Sequence, residues 1–306
     1  MKNINDVPRV SIGIPVYNGE NYLKEAIESH LAQSYDDFEL LITDNASTDG
    51  TRDICEFYAK QDKRIKYHRN ETNIGGFANF SGLVDLARGE YFKWSSHDDV
   101  IFSKDYLKSC VEKLDGDPSI IIVTSSEIAI DKNGDVIENY MDKYPKLKNL
   151  ESPSAYKRFY DTTCLNHGCY KVFGVMRTDI LKQTPRLANF LGSDRTLLAE
   201  LSLRGKFWES PEAIAYRRHE EQWCAITNDK ERIAWFKPDS QRKKAFPNSN
   251  YFVQYLKAIN RVDPGLAQKS VCYLVMLYWV VKQRKRLFRE ALLAASDRFH
   301  RTAEAQ

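Results

Sequence analysis

The chain has 306 residues, 42% hydrophobic and 28% charged, with a formal net charge of +3 at pH 7. This length supports one sizeable core with additions or two small domains, and so near a charge balance gives no ground for a nucleic-acid partner. The longest apolar run, Val271 to Val281, is too short to span a bilayer, which takes about 20 residues.

In chain order, "RVSIGIPVYN" is a short apolar run ending in polar residues, as in a buried parallel strand. "YLKEAIESHLAQS" follows as a helix with Leu23, Ile27 and Leu31 on one face. "FELLITDNAS" is a second strand. "DGTRDICEFYAKQ" is a helix with Ile54, Phe57 and Tyr58 at helical spacing and Ser47, Thr48 or Asp49 available as N-cap. "RIKYHRN" is a third strand, "ANFSGLVDLARG" a helix stopped by Gly89, and "YFKW" a fourth strand. This β-α-β-α-β-α-β order implies a mostly parallel sheet covered by helices, with ligands beyond the C-terminal strand ends. The polar clusters "TDNAST" and "SSHDD" both fall at such ends and should share one rim.

Beyond Ser103, "KDYLKSCVEKL" is a helix with Leu107, Cys110, Val111 and Leu114 buried, and "SIIIVTSSEIAI" is a strand leading into the turn "DKNGDV". Residues 138–168 read as a long excursion with one helix near Ala155 to Tyr160. "YKVFGVMRTDIL" gives a strand and a helix, "SDRTLLAELSLRGK" a helix closed by Gly205, and "AIAYRRH" a strand ending in His219. Residues 225–306 read as a helical tail, which carries the excess positive charge. Six cysteines show no CxxC or zinc-type spacing, which suits free thiols in a reducing compartment; a Cys164–Cys169 disulfide is the alternative. The first ten residues lack the apolar core of a signal peptide, so a cytoplasmic location is expected.

Several residues admit both a structural and a chemical role. Asp44 can cap a helix or accept hydrogen bonds from a base or ribose. Asp98 and Asp99 offer the carboxylate oxygens a hard divalent cation takes, or belong to a capped, solvated turn. Asp194 opens a helix, where an acid complements the dipole, and can also serve as a general base. His219, beside Arg217 and Arg218, fits an anionic-substrate rim or a solvated loop. Gly75 and Gly76 form no GxGxxG or GxxxxGK[ST] pattern, which disfavours dinucleotide and P-loop readings.

Together, "VSIGIPVYNGENYLKEAIESHLAQSYDDFELLITDNASTDGT", "NIGGFANFSGLVDLARGEYFKWSSHDDV", "GSDRTLLAEL" and "YRRH" resemble the inverting family 2 glycosyltransferases of GT-A fold. The resemblance is dense over residues 8–103 and patchier to about 220. It implies a catalytic domain over 1–222, with a nucleotide-sugar half (1–103) and an acceptor half (104–222), and a helical extension over 223–306. It places Pro15, Tyr17, Glu20, Asp44, Asn73, Gly75, Ser96, His97 and Asp98 around the nucleotide sugar. Asp98 and His219 are the implied metal contacts, Asp194 the implied catalytic base, and Asp99, Arg195 and Arg218 supporting residues. Mn²⁺ or Mg²⁺ is the expected cofactor. A UDP-sugar is the first donor candidate, ahead of dTDP- and GDP-sugars, and the acceptor is expected to be a glycan or lipid-linked glycan. Where many members carry the first acid of a DxD motif, this chain has Ser96, which brings no negative charge. A non-catalytic nucleotide-sugar-binding module and a metal-dependent nucleotidyltransferase or phosphohydrolase are the rival readings. The tail is expected either to pack on the catalytic domain or to contact the inner face of an anionic membrane. Acceptor specificity is expected to reside in residues 138–175 and 220–250.

Overall fold

A computed structural model of the chain describes residues 7–219 and 246–304, without the side chains of 212 and 296–304. The expected boundary after residue 222, most of the 220–250 segment and Cys224 lie outside the described residues.

Strands β1 (Val10–Val16), β2 (Phe38–Asp44), β3 (Ile65–Arg69) and β4 (Tyr91–Trp94) alternate with helices α1 (Leu23–Leu31), α2 (Thr51–Gln61) and α3 (Gly76–Leu86). A two-residue strand β5 (Val100–Ile101), α4 (Tyr106–Gly116) and β6 (Ile120–Ile130) follow. Then come α5 (Ala155–Cys164), β7 (Val175–Arg177), α6 (Thr178–Lys182), α7 (Ser193–Arg204) and β8 (Lys206–Arg218). Helices α8 (Pro247–Val262) and α9 (Leu266–Glu304) complete the described chain. The strands form one sheet in the order β3-β2-β1-β4-β7-β6-β8-β5. Its β3-β2-β1-β4 half is parallel, as is the β6/β8 pair; β7 and β5 run antiparallel to their neighbours.

Burial explains this arrangement. Every residue of β1 and β2 is buried, so each must be covered on both faces. One face is covered by Leu23 and Ile27 of α1, Cys55 and Tyr58 of α2, and Leu107 and Val111 of α4. The other is covered by Leu83 and Val84 of α3 and Leu197, Leu198 and Leu201 of α7, packed on Phe92, Trp94 and Ile122. A third cluster joins Phe159 of α5, Ala199 and Leu203 of α7, Tyr255 and Ile259 of α8, and Met276 and Trp279 of α9.

Three local expectations need correction. Of the helically spaced Ile54, Phe57 and Tyr58, Phe57 is exposed, because α2 buries Thr51, Cys55 and Tyr58 at i, i+4 and i+7, which turns Phe57 to solvent. The N-cap position of α2 is Gly50, and Asp49 instead accepts a hydrogen bond from the Thr51 amide at 3.1 Å. Strand β8 begins at Lys206, well before "AIAYRRH", and its pairing with β6 is interrupted between Glu209 and Ile214, where Pro211 falls. The described cysteines are all free thiols, so Cys164 and Cys169 are not bridged. Among the described residues no helix is long and apolar enough to cross a membrane.

Candidate functional site

The parallel half of the sheet brings the ends of β1, β2 and β3 to one edge. Register aligns Val16 with Asp44 and Asp44 with Arg69, so these residues stand side by side. Asp44 is fully buried, and a buried carboxylate needs partners. Its Oδ1 accepts from the Ser47 amide at 2.8 Å; its Oδ2 accepts from the Tyr67 hydroxyl at 2.8 Å and from Arg69. The loop after β1 clasps the loop after β2: the Asn18 amide donates to Ser47 Oγ, and Glu20 Oε2 accepts from the Gly50 amide at 2.7 Å. Pro15 is buried in β1, while Tyr17 and Glu20 are exposed on the rim. Asn73 Oδ1 accepts from Asn45 Nδ2 at 2.7 Å and from the Gly75 amide at 2.9 Å. Gly75 has φ +86°, a conformation that favours glycine, and it precedes the first turn of α3.

The stretch "SSHDDV" continues this rim from the end of β4. Ser95 hydrogen-bonds His30 Nε2 at 2.9 Å; His30 is buried, and burial beside Lys93 and Arg217 pushes its pKa down to about 3, so it stays neutral. The His97 ring lies against Gly19 of the first loop, where an added Cβ would come within 2.6 Å of it. Asp98 and Asp99 are both buried, which rules out the solvated turn. Asp99 accepts from Arg217 Nη1 at 2.6 Å and from the Arg218 amide at 3.1 Å. Burial pushes its pKa up to about 6, with Arg217 opposing. Arg217 also pairs with Glu127 and lies over Phe173. Arg218 donates to the Asp98 carbonyl, to the carbonyls of Asp131 and Lys132, and to Glu25, and stacks on Tyr22. Neither arginine belongs to a solvated loop. Asp99, Arg217 and Arg218 together fasten β8 to the end of β4, and that sets the position of Asp98.

Asp194 stands in the first turn of α7, at a cleft of about 690 Å³. Trp94, Cys169, Tyr170, Leu187 and Tyr251 are among the residues lining this cleft. Gly192, with φ +81°, turns the chain into α7 where a Cβ would meet the Tyr251 hydroxyl at 1.9 Å. Asp194 Oδ1 accepts from the Arg195 amide at 2.7 Å, and the carboxylate also takes the Cys169 thiol. Burial nevertheless raises its pKa above the ordinary carboxylate range. The Arg195 guanidinium turns away and donates to the carbonyls of Leu165 and His167, so it braces the loop after α5. Tyr170 links the two regions: it lines the cleft, and its ring centroid is 6.3 Å from that of His219.

Sequence reasoning passed over Lys93, His30, Asn45, Arg69, Glu127, Cys169 and Tyr170. Lys93 carried a usable signal, since a lysine inside a four-residue buried strand must have buried partners; it donates to the carbonyls of Trp94 and Phe173.

Residues 11–184 match the model of the family described as Glycosyl transferase family 2, over more than half of the chain. The chain belongs to that family. An uncharacterized glycosyltransferase of Haemophilus influenzae is 24% identical over 289 residues, 93% of this chain and 84% of the relative. One from Rickettsia felis is 38% identical over 118 residues, 37% of this chain, and one from Methanocaldococcus jannaschii 32% identical over 148 residues, 48% of this chain. These last two matches span 19% and 51% of the relatives' own lengths. Among solved structures, S. aureus TarS 1–349 in complex with UDP-GlcNAc superposes with a TM-score of 0.60 at 19% identity, covering 92% of this chain and 79% of that one. A mannosyltransferase, PcManGT from Pyrobaculum calidifontis in complex with GDP-Man and Mn²⁺, gives 0.53 at 18% identity, covering 97% and 81%. At such identities the likeness establishes the GT-A fold, a mostly parallel central sheet flanked by helices with further helices at the C-terminus.

In this family 2 chain, two groups fit a divalent cation. His219 is held by its backbone amide on the Ile130 carbonyl at 2.8 Å, and its ring lies 4.1 Å from that of Tyr140. The buried His219 Nε2 has no hydrogen-bond partner among the described residues, an expensive condition that a ligand would relieve. Burial and the nearby Lys143 lower its pKa, Asp98 opposing, which keeps the imidazole neutral and able to ligate. Asp98 offers its carboxylate, with Ser96 Oγ hydrogen-bonded to Oδ1. Among the described residues no third His, Cys, Asp or Glu joins them. Two protein ligands suffice for a cation whose shell is completed by phosphate oxygens and water.

Proposed function

We propose that this protein transfers a sugar from a nucleoside diphosphate sugar to an acceptor hydroxyl with inversion. The donor's base and ribose would lie over the Asp44–Asn73–Gly75 end of the rim, beside Tyr17 and Glu20, and its diphosphate near Asp98 and His219. Ser96, hydrogen-bonded to Asp98, orients that carboxylate and leaves the negative charge to Asp98 alone. Asp98 and His219 would hold Mn²⁺ or Mg²⁺, which supplies positive charge against the leaving diphosphate.

Asp194 carries the reading. It is a half-buried carboxylate at the wall of a largely apolar cleft, with a raised pKa and no salt bridge among the described residues. A base of this kind takes the proton from the acceptor hydroxyl as the oxygen attacks the anomeric carbon. One in-line displacement gives inversion. The walls Tyr170 and Tyr251 suit stacking against sugar rings, which supports a glycan or lipid-linked glycan as acceptor.

Calorimetric titration with UDP-, GDP- and dTDP-sugars, with and without Mn²⁺, tests the donor side. Donor binding that strengthens with Mn²⁺ in the wild type and loses that dependence in Asp98→Ala is expected; Mn²⁺-independent binding in both removes the metal role. Release of nucleoside diphosphate supports transfer, whereas release of monophosphate points to nucleotidyl or phosphohydrolase chemistry.

A further inference from the structure

Helix α9 has two faces of different character. One packs Cys272, Val275, Met276 and Trp279 into the third core cluster, and Glu290 accepts from the Asn248 and Ser249 amides at the start of α8. The opposite face carries Leu274, Leu277, Val281, Phe288 and Leu292, all exposed, with Leu277, Val281 and Phe288 at 64, 60 and 66%. Their spacing of i, i+3, i+7, i+14 and i+18 confines them to a stripe about 60° wide and about 27 Å long at 1.5 Å per residue. Arg284, Lys285 and Arg289 flank it, all exposed, whereas Lys282 and Arg286 turn toward the body of the protein, Lys282 donating to the Cys164 carbonyl at 2.6 Å. No Asp or Glu occurs from Gly265 to Arg289. Scattered exposed apolar residues are ordinary, but a continuous stripe on the outward face of a packed helix marks an interaction surface.

We infer that this face docks on an anionic phospholipid surface, lying in the headgroup region with its cations against lipid phosphates. Two observations select that occupant over a second copy of the chain. A self-paired seam with Leu274, Val281 and Phe288 at its a positions places Leu277, Arg284 and Ala291 at d, of which only Leu277 fills the seam, Arg284 being a charge and Ala291 too small. An apolar stripe edged by three cations and no acid is complementary to an anionic interface. The helix lies on the surface rather than crossing it, because none of the described helices is apolar enough to span. Arg286, on the inward side of the same helix, lines the Asp194 cleft, so docking keeps the cleft within one helix diameter, roughly 10–12 Å, of the lipid surface. Building on the transferase reading, this favours an acceptor presented at a membrane.

The test is flotation of the full-length protein with vesicles of phosphatidylcholine alone and with 30% phosphatidylglycerol. Binding to the anionic vesicles is expected, falling with salt. Each cation near such a surface is worth about a fivefold change, so Lys285→Ala/Arg289→Ala should weaken binding about 25-fold, and Val281→Asp/Phe288→Asp should abolish it. Both variants should keep the wild-type thermal midpoint and nucleotide binding. Equal binding to neutral and anionic vesicles overturns the inference, as does no flotation. A sedimentation-equilibrium dimer that Phe288→Asp dissociates assigns the face to a second copy instead. Loss of nucleotide binding in the wild type would refute the transferase reading while leaving the vesicle result intact.

Discussion

Cys169 gives the most direct handle on the base. Its thiol donates to the Asp194 carboxylate and so favours the ionised form, while burial works the other way. Cys169→Ala removes that donor without placing a new group in the cleft. A hydrogen bond to a charged group contributes about 1.5–3 kcal/mol, and a thiol is a weak donor, so the lower end applies. At 1.36 kcal/mol per pH unit, Asp194 should titrate about one unit higher in the variant. Because the base must be ionised, activity falls as pH drops through this pKa, and the acidic limb of kcat should move up by about one unit. Cys169→Ser, with a stronger donor, should leave the limb at or below its wild-type position. The assay is nucleoside diphosphate release from the donor sugar with water as acceptor, followed from pH 4 to 8. An acidic limb that is the same in all three proteins would refute Asp194 as the base.

Lys93 should be visible in stability. Burial and Arg217 push its pKa down to about 7, whereas the unfolded chain keeps the ordinary lysine value. Between those values the unfolded state holds the extra proton, so stability rises with pH, by about 2 kcal/mol from pH 7 to 9. Urea unfolding of Lys93→Met should lack this part of the slope; equal slopes in the two proteins would contradict it. Gly192→Ala should lower stability by about 1–3 kcal/mol, because the position has φ +81° and abuts Tyr251, and an unchanged urea midpoint would show that the turn tolerates a side chain.

The alternating strands and helices of the first hundred residues were legible because β1 and β2 are wholly buried apolar runs and their helices bury regular stripes. The shared rim followed from strand direction alone: β2 and β4 both run parallel to β1, and their ends carry Asp44 and the stretch with Asp98 to the same edge. What the sequence could not disclose were long-range pairings. Asp99 reads as a surface acid until Arg217, more than a hundred residues later, is placed against it. Arg218 reads as a rim cation and is instead spent on carbonyls and Glu25. Asp194 could be recognised as a helix-opening acid, but its cleft depends on Trp94, Tyr170 and Tyr251 converging from three distant segments. Strand β8 was seen only in its second half because Pro211 interrupts the strand pattern where the ladder itself breaks.

The central claim is that Asp194 acts on the acceptor and not on the donor. Asp194→Asn keeps the size and the backbone contact of this side chain but removes the base. Donor affinity by calorimetry should match the wild type, while transfer falls by about 10²–10⁴-fold, the usual contribution of a general base. Transfer at the wild-type rate, with donor bound normally, would contradict the account.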